Sequence, residues 1–510
     1  MPQETELKLA LHPHDLPRLL AHPLLAAQAP RRERLRNTYF DTAALTLMQQ
    51  RLAVRERQVG RRTLLTVKTA GHSVGGLSQR GEWEAPTQPG RFDFAALVND
   101  TTLAQQLTAL APQLVPVFRT DFTRHSWLLH HGGAQVEVAL DQGFIATRNA
   151  QGARREPLLE LELELKSGPV DALLDLAHTL ALGPQGHAAQ GIWLHPTDRS
   201  KAERGLALFL NQQPGPQKAQ AVVLAAGLSP LMAFRAVALG SLVHLQANVS
   251  GWLQARSNAG TPADPEYIHQ ARVALRRLRT ALQLFAPALP RGFVSHWRAQ
   301  WQATAHALAD AREWDVLATE TWPKLMAGSP VGAPEYLPTN WLDTQRQAAH
   351  QRAQAALSTP AHALNLLAFT RALLALQGSK RRPNPAAQSR WASRALQPLQ
   401  QALLRRARLT HAQDAAERHA LRLALKKYRQ AQEVLAGLAP DPISRREAAQ
   451  LAQAQGLLGA LNDLSVAQRQ LALCPHPGTT WLLDRLQEQL EKELLALPRL
   501  QRRLVRTLAP

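Results

Sequence analysis

Charged and apolar residues alternate strictly over a short segment of this chain, and this alternation constrains the fold more than any other sequence feature. Residues 160–166 read Glu-Leu-Glu-Leu-Glu-Leu-Lys, and residues 4–8 read Glu-Thr-Glu-Leu-Lys. Side chains two apart in a β-strand share a face, so carboxylates and an ammonium would line one face and leucines the other. Carboxylate oxygens suit Mg²⁺ or Mn²⁺, and lysine suits phosphate. The pattern therefore predicts strands that hold a divalent metal beside an anion.

The overall composition indicates a protein of two or three domains in a reducing compartment. The chain has 510 residues and one cysteine, Cys474, which excludes an internal disulfide. The sequence starts directly in a charged strand and has no uncharged apolar run of membrane-spanning length. We therefore expect a cytoplasmic protein without a membrane partner.

The positive charge of the chain is concentrated in its second part. Residues 1–210 carry 23 Lys and Arg against 21 Asp and Glu, whereas residues 211–510 carry 36 against 18. Such a bias favours an anionic partner for the second part. A general arginine-rich composition would have raised the charge of the first part as well, so it is the weaker explanation.

The first part is predicted to consist mainly of antiparallel strands with a helix near residues 14–25 and another near 170–182. Strand patterns occur at 36–40, 51–58, 62–69, 79–85, 115–129, 134–145 and 158–166, with Gly-containing turns between several of them. Several of these strands carry charges at two-residue spacing. A solvated face would explain any one such strand. Repetition on many strands instead favours a closed barrel with a charged interior.

The second part is predicted to be helical and internally duplicated. Residues 269–279, beginning His-Gln-Ala-Arg, return at 419–429 as His-Ala-Leu-Arg, an offset of 150 residues. Residues 308–312 and 458–462 match at the same offset. We therefore expect a first domain at 1–210, a linker at 211–220 and a helical domain at 221–510. Its two halves would cover 221–378 and 386–510, joined by a loop near 378–385.

Each copy of the repeat places its histidine and basic residues mostly along one helix stripe. The basic residues of both copies are His269, Arg272, Arg276, Arg277, Arg279, His419, Arg422, Lys426, Lys427 and Arg429. Ordinary exposed arginines would explain one such stripe, but the duplication favours two faces that form one groove. The stripe lacks interleaved aromatic residues, which disfavours nucleic acid as the partner.

The charged strands of the first part resemble the CYTH family, the triphosphate tunnel metalloenzymes. The resemblance covers residues 1–205 and rests on the Glu-x-Glu-x-Lys opening, Arg55-x-Arg57, Lys68, Glu82-x-Glu84 and Glu160-x-Glu162. It implies an eight-stranded antiparallel tunnel that acts on triphosphates with Mg²⁺ or Mn²⁺, two per site. The expected fold class is thus α+β and multidomain, with an N-terminal β tunnel flanked by helices and a C-terminal all-α duplicated bundle.

The family resemblance assigns roles to individual residues. It implies that Glu4, Glu6, Glu160 and Glu162 bind metal and that Lys8, Arg55, Arg57, Lys68 and Arg119 hold phosphate. Lys201 matches a late basic motif of the family and is a further candidate phosphate ligand. Other charged strand residues complete the predicted sets, with Arg80 and Arg124 for phosphate and Asp141 and Glu164 for metal. The predicted catalytic residues are Glu4, Glu6, Lys8, Glu160 and Glu162.

The basic repeats of the second part resemble the CHAD domain over residues 222–505. The motif His269-x-x-Arg272-x-x-x-Arg276-Arg277-x-Arg279 carries this resemblance, which implies binding of inorganic polyphosphate. A CYTH domain followed by a CHAD domain is similar to the bacterial inorganic triphosphatase arrangement. The leading hypothesis is a metal-dependent inorganic triphosphatase that associates with polyphosphate. Two alternatives are a thiamine or nucleoside triphosphatase and a polyphosphate-binding adaptor without turnover.

Overall fold

The structure of the protein is a computed structural model. It describes residues 3–149, 152–212, 215–222, 224, 227–257, 263–327, 339–378, 384–436, 438, 445–476 and 478–508. The loop that the sequence predicts between the two helical halves lies mostly outside the described residues, as do two positions of the predicted linker.

Eight antiparallel strands close into a barrel, as the sequence predicts. The described residues form ten strands, of which all but β5 and β10 make the barrel: β1 (Gln3–Leu11), β2 (Arg31–Asp41), β3 (Ala53–Val59), β4 (Arg62–Lys68), β5 (His72–Val74), β6 (Leu77–Thr87), β7 (Val115–His131), β8 (Ala134–Asn149), β9 (Gly152–Ser167) and β10 (Leu194–Pro196). Around the barrel the order is β1-β9-β8-β7-β2-β3-β4-β6, and pairing of β1 with β6 closes it. The short β5 and β10 add to β6 and β1.

The helices of the described residues follow in chain order. They are α1 (Leu16–Leu20), α2 (Pro23–Ala26), α3 (Thr46–Gln49), α4 (Phe94–Leu97), α5 (Thr101–Leu110), α6 (Asp171–Ala181), α7 (Lys201–Phe209), α8 (Pro230–Ser257), α9 (Glu266–Leu284), α10 (Phe293–Ala307), α11 (Ala309–Val316), α12 (Trp322–Met326), α13 (Thr339–Leu357), α14 (Pro360–Ala375), α15 (Pro385–Leu409), α16 (Ala415–Leu435), α17 (Arg445–Leu471), α18 (Thr479–Leu494) and α19 (Leu497–Leu508). None of these helices is long and apolar enough to cross a lipid bilayer.

The barrel is apolar outside and charged inside, which the two-residue period of its strands explains. Leu7 and Leu9 of β1 and Leu161 and Leu163 of β9 are fully buried in one cluster with the apolar face of α6. Burying each leucine contributes roughly 1.5–3 kcal/mol. On other strands Val54, Leu65 and Val67 pack with residues of α4 and α5 in a second cluster. The intervening charged residues must then face the lumen.

The chain divides into two compact units, and one of them is discontinuous. The tunnel unit comprises Met1–Pro216 together with Ser358–Ala375, and the helical unit comprises Gln217–Leu357 and Leu376–Pro510. Helix α14 thus belongs to the tunnel unit although its sequence lies within the helical part. The sequence does not anticipate this grouping. The domain limits drawn from it stay a prediction.

The duplication predicted from the sequence is visible in the helical unit. Helix α9 and helix α16 are related by the 150-residue offset, and both carry the basic stripe. Leu275, Leu278 and Leu282 are fully buried on the opposite side of α9, as their spacing predicts. Both copies therefore build an amphipathic helix with its charged stripe directed away from the core.

Candidate active site and basic groove

Charged and polar side chains from the barrel strands meet in the lumen, and together they are here called the lumen network. On β1, Glu4 pairs with Arg80 of β6 at 2.9 Å and with Lys68 of β4 at 2.9 Å. Glu6 pairs with Arg80 and, at 2.5 Å, with Lys8. These side chains lie on the face of three adjacent strands that is opposite the buried Leu7 and Leu9, which is the lumen face. Glu4, Glu6, Lys8, Lys68 and Arg80 are therefore brought together as the sequence predicts.

The network continues onto β3 and β2 through two arginines. The Arg55 guanidinium contacts Glu82 at 3.4 Å and donates to the Tyr39 hydroxyl at 3.3 Å. Lys68 also pairs with Glu82, at 2.9 Å. Arg57 donates to the Asn37 amide oxygen at 3.1 Å. The two predicted phosphate ligands of β3 are therefore held by partners on both neighbouring sides of the barrel.

Three carboxylates form the most acidic point of the lumen. Asp141 of β8 and Glu160 and Glu162 of β9 each offer an oxygen within 4.8 Å of the others. The Lys201 ammonium lies among them, at 2.7 Å from Asp141 and 3.0 Å from Glu162, and it also donates to Glu160. Arg124 of β7 holds Asp141 through two hydrogen bonds of 2.7 Å. We call Asp141, Glu160 and Glu162 the acidic cluster.

The acidic cluster fits a divalent metal by the chemistry of its donors. Three carboxylates supply the hard oxygen ligands that Mg²⁺ and Mn²⁺ prefer. Lys201 satisfies the same oxygens in the structure, so a metal bound there would share them with this ammonium or displace it. The other three predicted metal ligands lie elsewhere. Glu4 and Glu6 pair with lumen cations, and Glu164 pairs with Lys166 at 2.8 Å.

The lumen charges stabilise one another strongly, as their pKa values indicate. Burial by itself lowers the pKa of Lys201, but Asp141, Glu160 and Glu162 outweigh burial and raise it well above its usual range. Burial likewise works against ionisation of Glu162, yet Lys201, Arg124 and Lys8 hold its pKa well below the usual range. Lys201 and Glu162 therefore both stay charged at neutral pH.

Arg119 does not lie with the other predicted phosphate ligands. It is exposed on the outer face of β7, near Asp121, which pairs with Arg34 of β2 at 3.0 Å. Arg124, five residues away, has the opposite parity and faces the lumen. Arg119 is accordingly left out of the proposed site.

Several lumen residues were absent from the predicted site sets, among them Arg204, Asn37 and Tyr39. Arg204 of α7 pairs with Glu160 at 3.1 Å and sits one helical turn from Lys201. Asn37 is buried and links Arg57 to Thr120. Tyr39 packs on Phe118 with ring centroids 4.4 Å apart, as expected for a wall residue, but its hydroxyl also reaches Arg55. The two-residue spacing of Asn37 and Tyr39 is the signal that could have identified both.

In the helical unit the two copies of the basic stripe face each other. Arg276 of α9 donates to Gln430 of α16 at 3.0 Å. Arg276 and Lys426 each lie close enough to Arg422 for its charge to lower their pKa. The stripe residues Arg272, Arg276, Arg422 and Lys426 thus form one surface, here called the basic groove. Cations from both copies of the repeat therefore meet at this surface.

Other predicted basic residues surround the groove or point away from it. Arg277 donates to the backbone carbonyl of Gln220 at 2.8 Å, and Lys427 is exposed. His419 contacts Asn462 at 3.0 Å. In the first copy, His269 lies within electrostatic range of Arg312, which is 150 positions before Asn462. Arg429 donates to Gln455 at 2.8 Å. The repeat therefore conserves the position of its histidine from one copy to the other.

The groove cations lack enough counter-charge, and their pKa values show it. Burial, together with the charges of Arg422 and Arg276, lowers the pKa of Lys426 to about 7, and Asp463 offsets this only in part. Burial also lowers the pKa of Arg272, Arg276, Arg277, Arg279 and Arg422. An anion placed in the groove would relieve this repulsion.

Known domain families match both parts of the chain. Residues 2–187 match the CYTH domain and residues 236–472 match the CHAD domain. An inorganic triphosphatase from Haemophilus influenzae is 34% identical over 222 residues, which cover 42% of this chain and 56% of that protein. The match thus spans a little over half the length of this curated relative.

Solved structures with similar parts include one for each region. The CHAD domain from the plant Ricinus communis is 29% identical, with a TM-score of 0.47, and covers 56% of this chain and 96% of that one. A Hippeastrum protein, HpAC1, described as having a dominant triphosphatase activity, is 16% identical, with a TM-score of 0.29, and covers 41% and 96%. With both domain matches located on the barrel and helical regions described above, the chain belongs to the proteins that carry a CYTH domain followed by a CHAD domain.

Proposed function

We propose that the tunnel unit hydrolyses inorganic triphosphate with a divalent metal and that the helical unit binds inorganic polyphosphate. One observation carries the enzymatic part of the proposal: carboxylates and cations from the barrel strands converge in the lumen, and they include the acidic cluster. Burying so many charges is costly even when they are paired, which favours a function for them.

The lumen offers the two kinds of group that phosphoanhydride hydrolysis needs. Lys8, Arg55, Arg57, Lys68 and Arg80 supply positive charge for the oxygens of a short polyanion, and the arginines can grip two oxygens at once. The acidic cluster is the proposed metal site, with Arg124 and Lys201 orienting its carboxylates. A bound divalent ion there would supply charge neutralisation and lower the pKa of a water nucleophile.

Inorganic triphosphate fits this lumen better than a nucleotide does. Phe118 already stacks on one face of the Tyr39 ring, which reduces the aromatic surface available to a base. The thiamine and nucleoside triphosphatase hypotheses keep the same site and differ only in what extends from the phosphates. The adaptor hypothesis requires that the acidic cluster has no role in turnover.

The helical unit is proposed to bind a longer phosphate chain. The basic groove presents cations from both copies of the repeat, and burial together with neighbouring cations lowers their pKa values despite Glu433 and Asp463. An extended polyanion without bases would contact several of them at once. Association of the whole protein with polyphosphate in the cytoplasm follows from this proposal.

A phosphate-release panel tests the proposal. The full-length chain is assayed with triphosphate, pyrophosphate, long-chain polyphosphate, ATP and thiamine triphosphate, each with Mg²⁺ or Mn²⁺. We expect triphosphate to be cleaved at least about tenfold faster than the others, because the lumen charges match a short unsubstituted polyanion. Equal turnover of ATP or thiamine triphosphate would favour the alternative substrates. Absence of turnover with intact polyphosphate binding would favour the adaptor.

A further inference from the structure

Lys8 lies where strand β1 changes its partners. Residues Gln3 to Leu7 pair with β6, and Leu9 to Leu11 pair with β10. Lys8 falls between these two ladders on that side of the strand. On this edge of β1, the position of Lys8 therefore depends on contacts outside regular β pairing. On the opposite edge, Lys8 pairs with Glu162 of β9.

The turn between β5 and β6 supplies the missing contacts. The Lys8 backbone N–H donates to the Gly76 carbonyl at 2.9 Å, and the Lys8 carbonyl accepts from the Thr197 N–H at 3.0 Å. Asp198 in turn accepts from the Gly76 N–H at 2.9 Å and from the Ser73 hydroxyl at 2.5 Å. Gly76 is so close to the strand that an added Cβ would lie 2.7 Å from the Lys8 carbonyl oxygen.

Helix α14 covers the other side of this turn. A Cβ added to Gly75 would lie 2.6 Å from Thr370 Oγ1 and 2.8 Å from its Cγ2, so the Thr370 side chain rests directly on the glycine. Thr370 is fully buried and its hydroxyl donates to the Leu366 carbonyl of the same helix.

The helix is itself anchored in the tunnel unit. Leu364 and Leu367 belong to the apolar cluster that includes Leu7 and Leu9 of β1. Arg371 pairs with Asp175 of α6, and the buried rings of His362 and His195 lie 6.0 Å apart. Helix α14 thus has a fixed place from which Thr370 can hold the turn.

We propose that α14 is a positioning element of the phosphate site, in which Thr370 holds the Gly75–Gly76 turn and the turn fixes the backbone of Lys8. The inference rests on the proposed function, since it concerns how one predicted phosphate ligand is placed. It also means that a segment within the region matching the CHAD domain helps to build the lumen of the CYTH domain.

Three glycines with positive φ allow a matched test. Gly75 has a φ of 65°, Gly76 of 80° and Gly60, in the β3–β4 turn, of 58°. An alanine would strain the backbone at each position, but at Gly60 an added Cβ has nothing within 4 Å. Gly60→Ala therefore reports backbone strain alone, whereas Gly75→Ala adds the clash with Thr370. Thr370→Ala removes the two atoms nearest that clash.

Each full-length variant is measured in two ways. Hydrogen exchange of the peptide that contains the Lys8 amide reports the turn contact without any need for activity. Triphosphate hydrolysis, resolved into kcat and KM, reports the site. Gly75→Ala and Gly76→Ala should speed Lys8 exchange and reduce kcat/KM by on the order of 10- to 100-fold, since small misplacements are costly. Gly60→Ala should do neither.

The double variant Gly75→Ala/Thr370→Ala should recover most of both losses and approach the Gly60→Ala values. Thermal melting of every variant shows whether it is folded. If Gly75→Ala is not folded, Thr370→Ala alone provides a milder disturbance of the same contact. Equal behaviour of Gly75→Ala and Gly60→Ala, or no recovery in the double variant, would overturn the proposal. A wild-type protein that leaves triphosphate intact would contradict the proposed function, while the exchange data would still decide the role of α14.

Discussion

The lumen and the basic groove both gather positive charge, but they compensate it in opposite ways. In the lumen, carboxylates raise the pKa of Lys201 and Arg80 despite their burial, whereas burial still lowers the pKa of Lys68 and Arg57. In the groove, burial and neighbouring cations lower the pKa of Lys426 to about 7. The lumen is a balanced site in which carboxylates can be shared with a metal. The groove is an unbalanced one that gains stability when an anion arrives. The difference predicts catalysis in one unit and binding without chemistry in the other.

The strongest test of this contrast removes the negative charge of one lumen carboxylate. The control removes that of an outer carboxylate with matched hydrogen bonds. Asp141 receives two hydrogen bonds from Arg124, and Asp121 on the outer face receives two from Arg34. Asp141→Asn should reduce triphosphate hydrolysis more than about 100-fold, because losing even an indirect metal contact costs 10- to 100-fold. Asp121→Asn should leave it nearly unchanged.

The measurement is the initial rate at saturating triphosphate over a titration of Mg²⁺. A folded Asp141→Asn protein with wild-type rates at any Mg²⁺ concentration would exclude Asp141 from the metal site and remove the main support for the acidic cluster as the catalytic centre. Circular dichroism of both variants confirms that the barrel is intact.

A second test asks whether the groove, rather than general positive charge, binds the polyanion. Arg276 and Lys426 belong to the groove, whereas their chain neighbours Arg277 and Lys427 do not. Arg276→Ala/Lys426→Ala should weaken binding of labelled long-chain polyphosphate on the order of 100-fold, at about 1.4 kcal/mol for each lost charge-assisted contact. Arg277→Ala/Lys427→Ala removes the same formal charge and should cost only a few-fold.

The same titrations can be repeated over a range of salt concentrations. Each phosphate contact that the groove makes releases counterions, so the groove variant should also have a shallower salt dependence than the wild type. Comparable losses in both double variants would show that the helical unit attracts polyphosphate by net charge alone. Triphosphate hydrolysis should be unaffected in either variant.

Much of the lumen could be predicted from the sequence because a strand has a period of two. Glu4, Glu6 and Lys8 share one face whatever the surrounding structure, and the leucines between them share the other. The same rule shows why Arg119 and Arg124 could not both face the lumen: they are an odd number of residues apart. Which of the two faces lies inside the barrel depends on residues far away in the chain. The pattern of a single strand carries no information about those residues.

The parts that were not predicted depend on long-range packing. Helix α14 has an apolar pattern that suits burial against any partner, and nothing in it indicates the β5–β6 turn. The members of the acidic cluster were predicted as metal ligands, but their strand patterns do not indicate that Lys201 of α7, 60 residues after Asp141, lies among them. The groove was predictable because duplication repeats the stripe, which is a local signal present twice.

The smallest expected effect is also the most specific to the unbalanced groove. With a pKa of about 7, Lys426 is largely protonated at pH 6 and largely neutral at pH 8. A bound polyanion favours the protonated form and raises this pKa, so binding takes up a proton. Affinity for long-chain polyphosphate should therefore fall as pH rises through 7. From pH 6 to pH 8 the fall should reach at most about tenfold, since one titrating group contributes at most a factor of ten per pH unit above its free pKa.

Lys426→Arg is the matched control, because arginine keeps its charge over this whole range. The internal groups of a long polyphosphate chain do not titrate between pH 6 and 8, so the ligand contributes little. Isothermal titration calorimetry in two buffers of different ionisation enthalpy measures the proton uptake directly. We expect uptake in the wild type near pH 7 and almost none in Lys426→Arg. If both proteins show the same flat affinity from pH 6 to pH 8, Lys426 already has a counter-ion in the groove, and the contrast with the balanced lumen is smaller than the structure indicates.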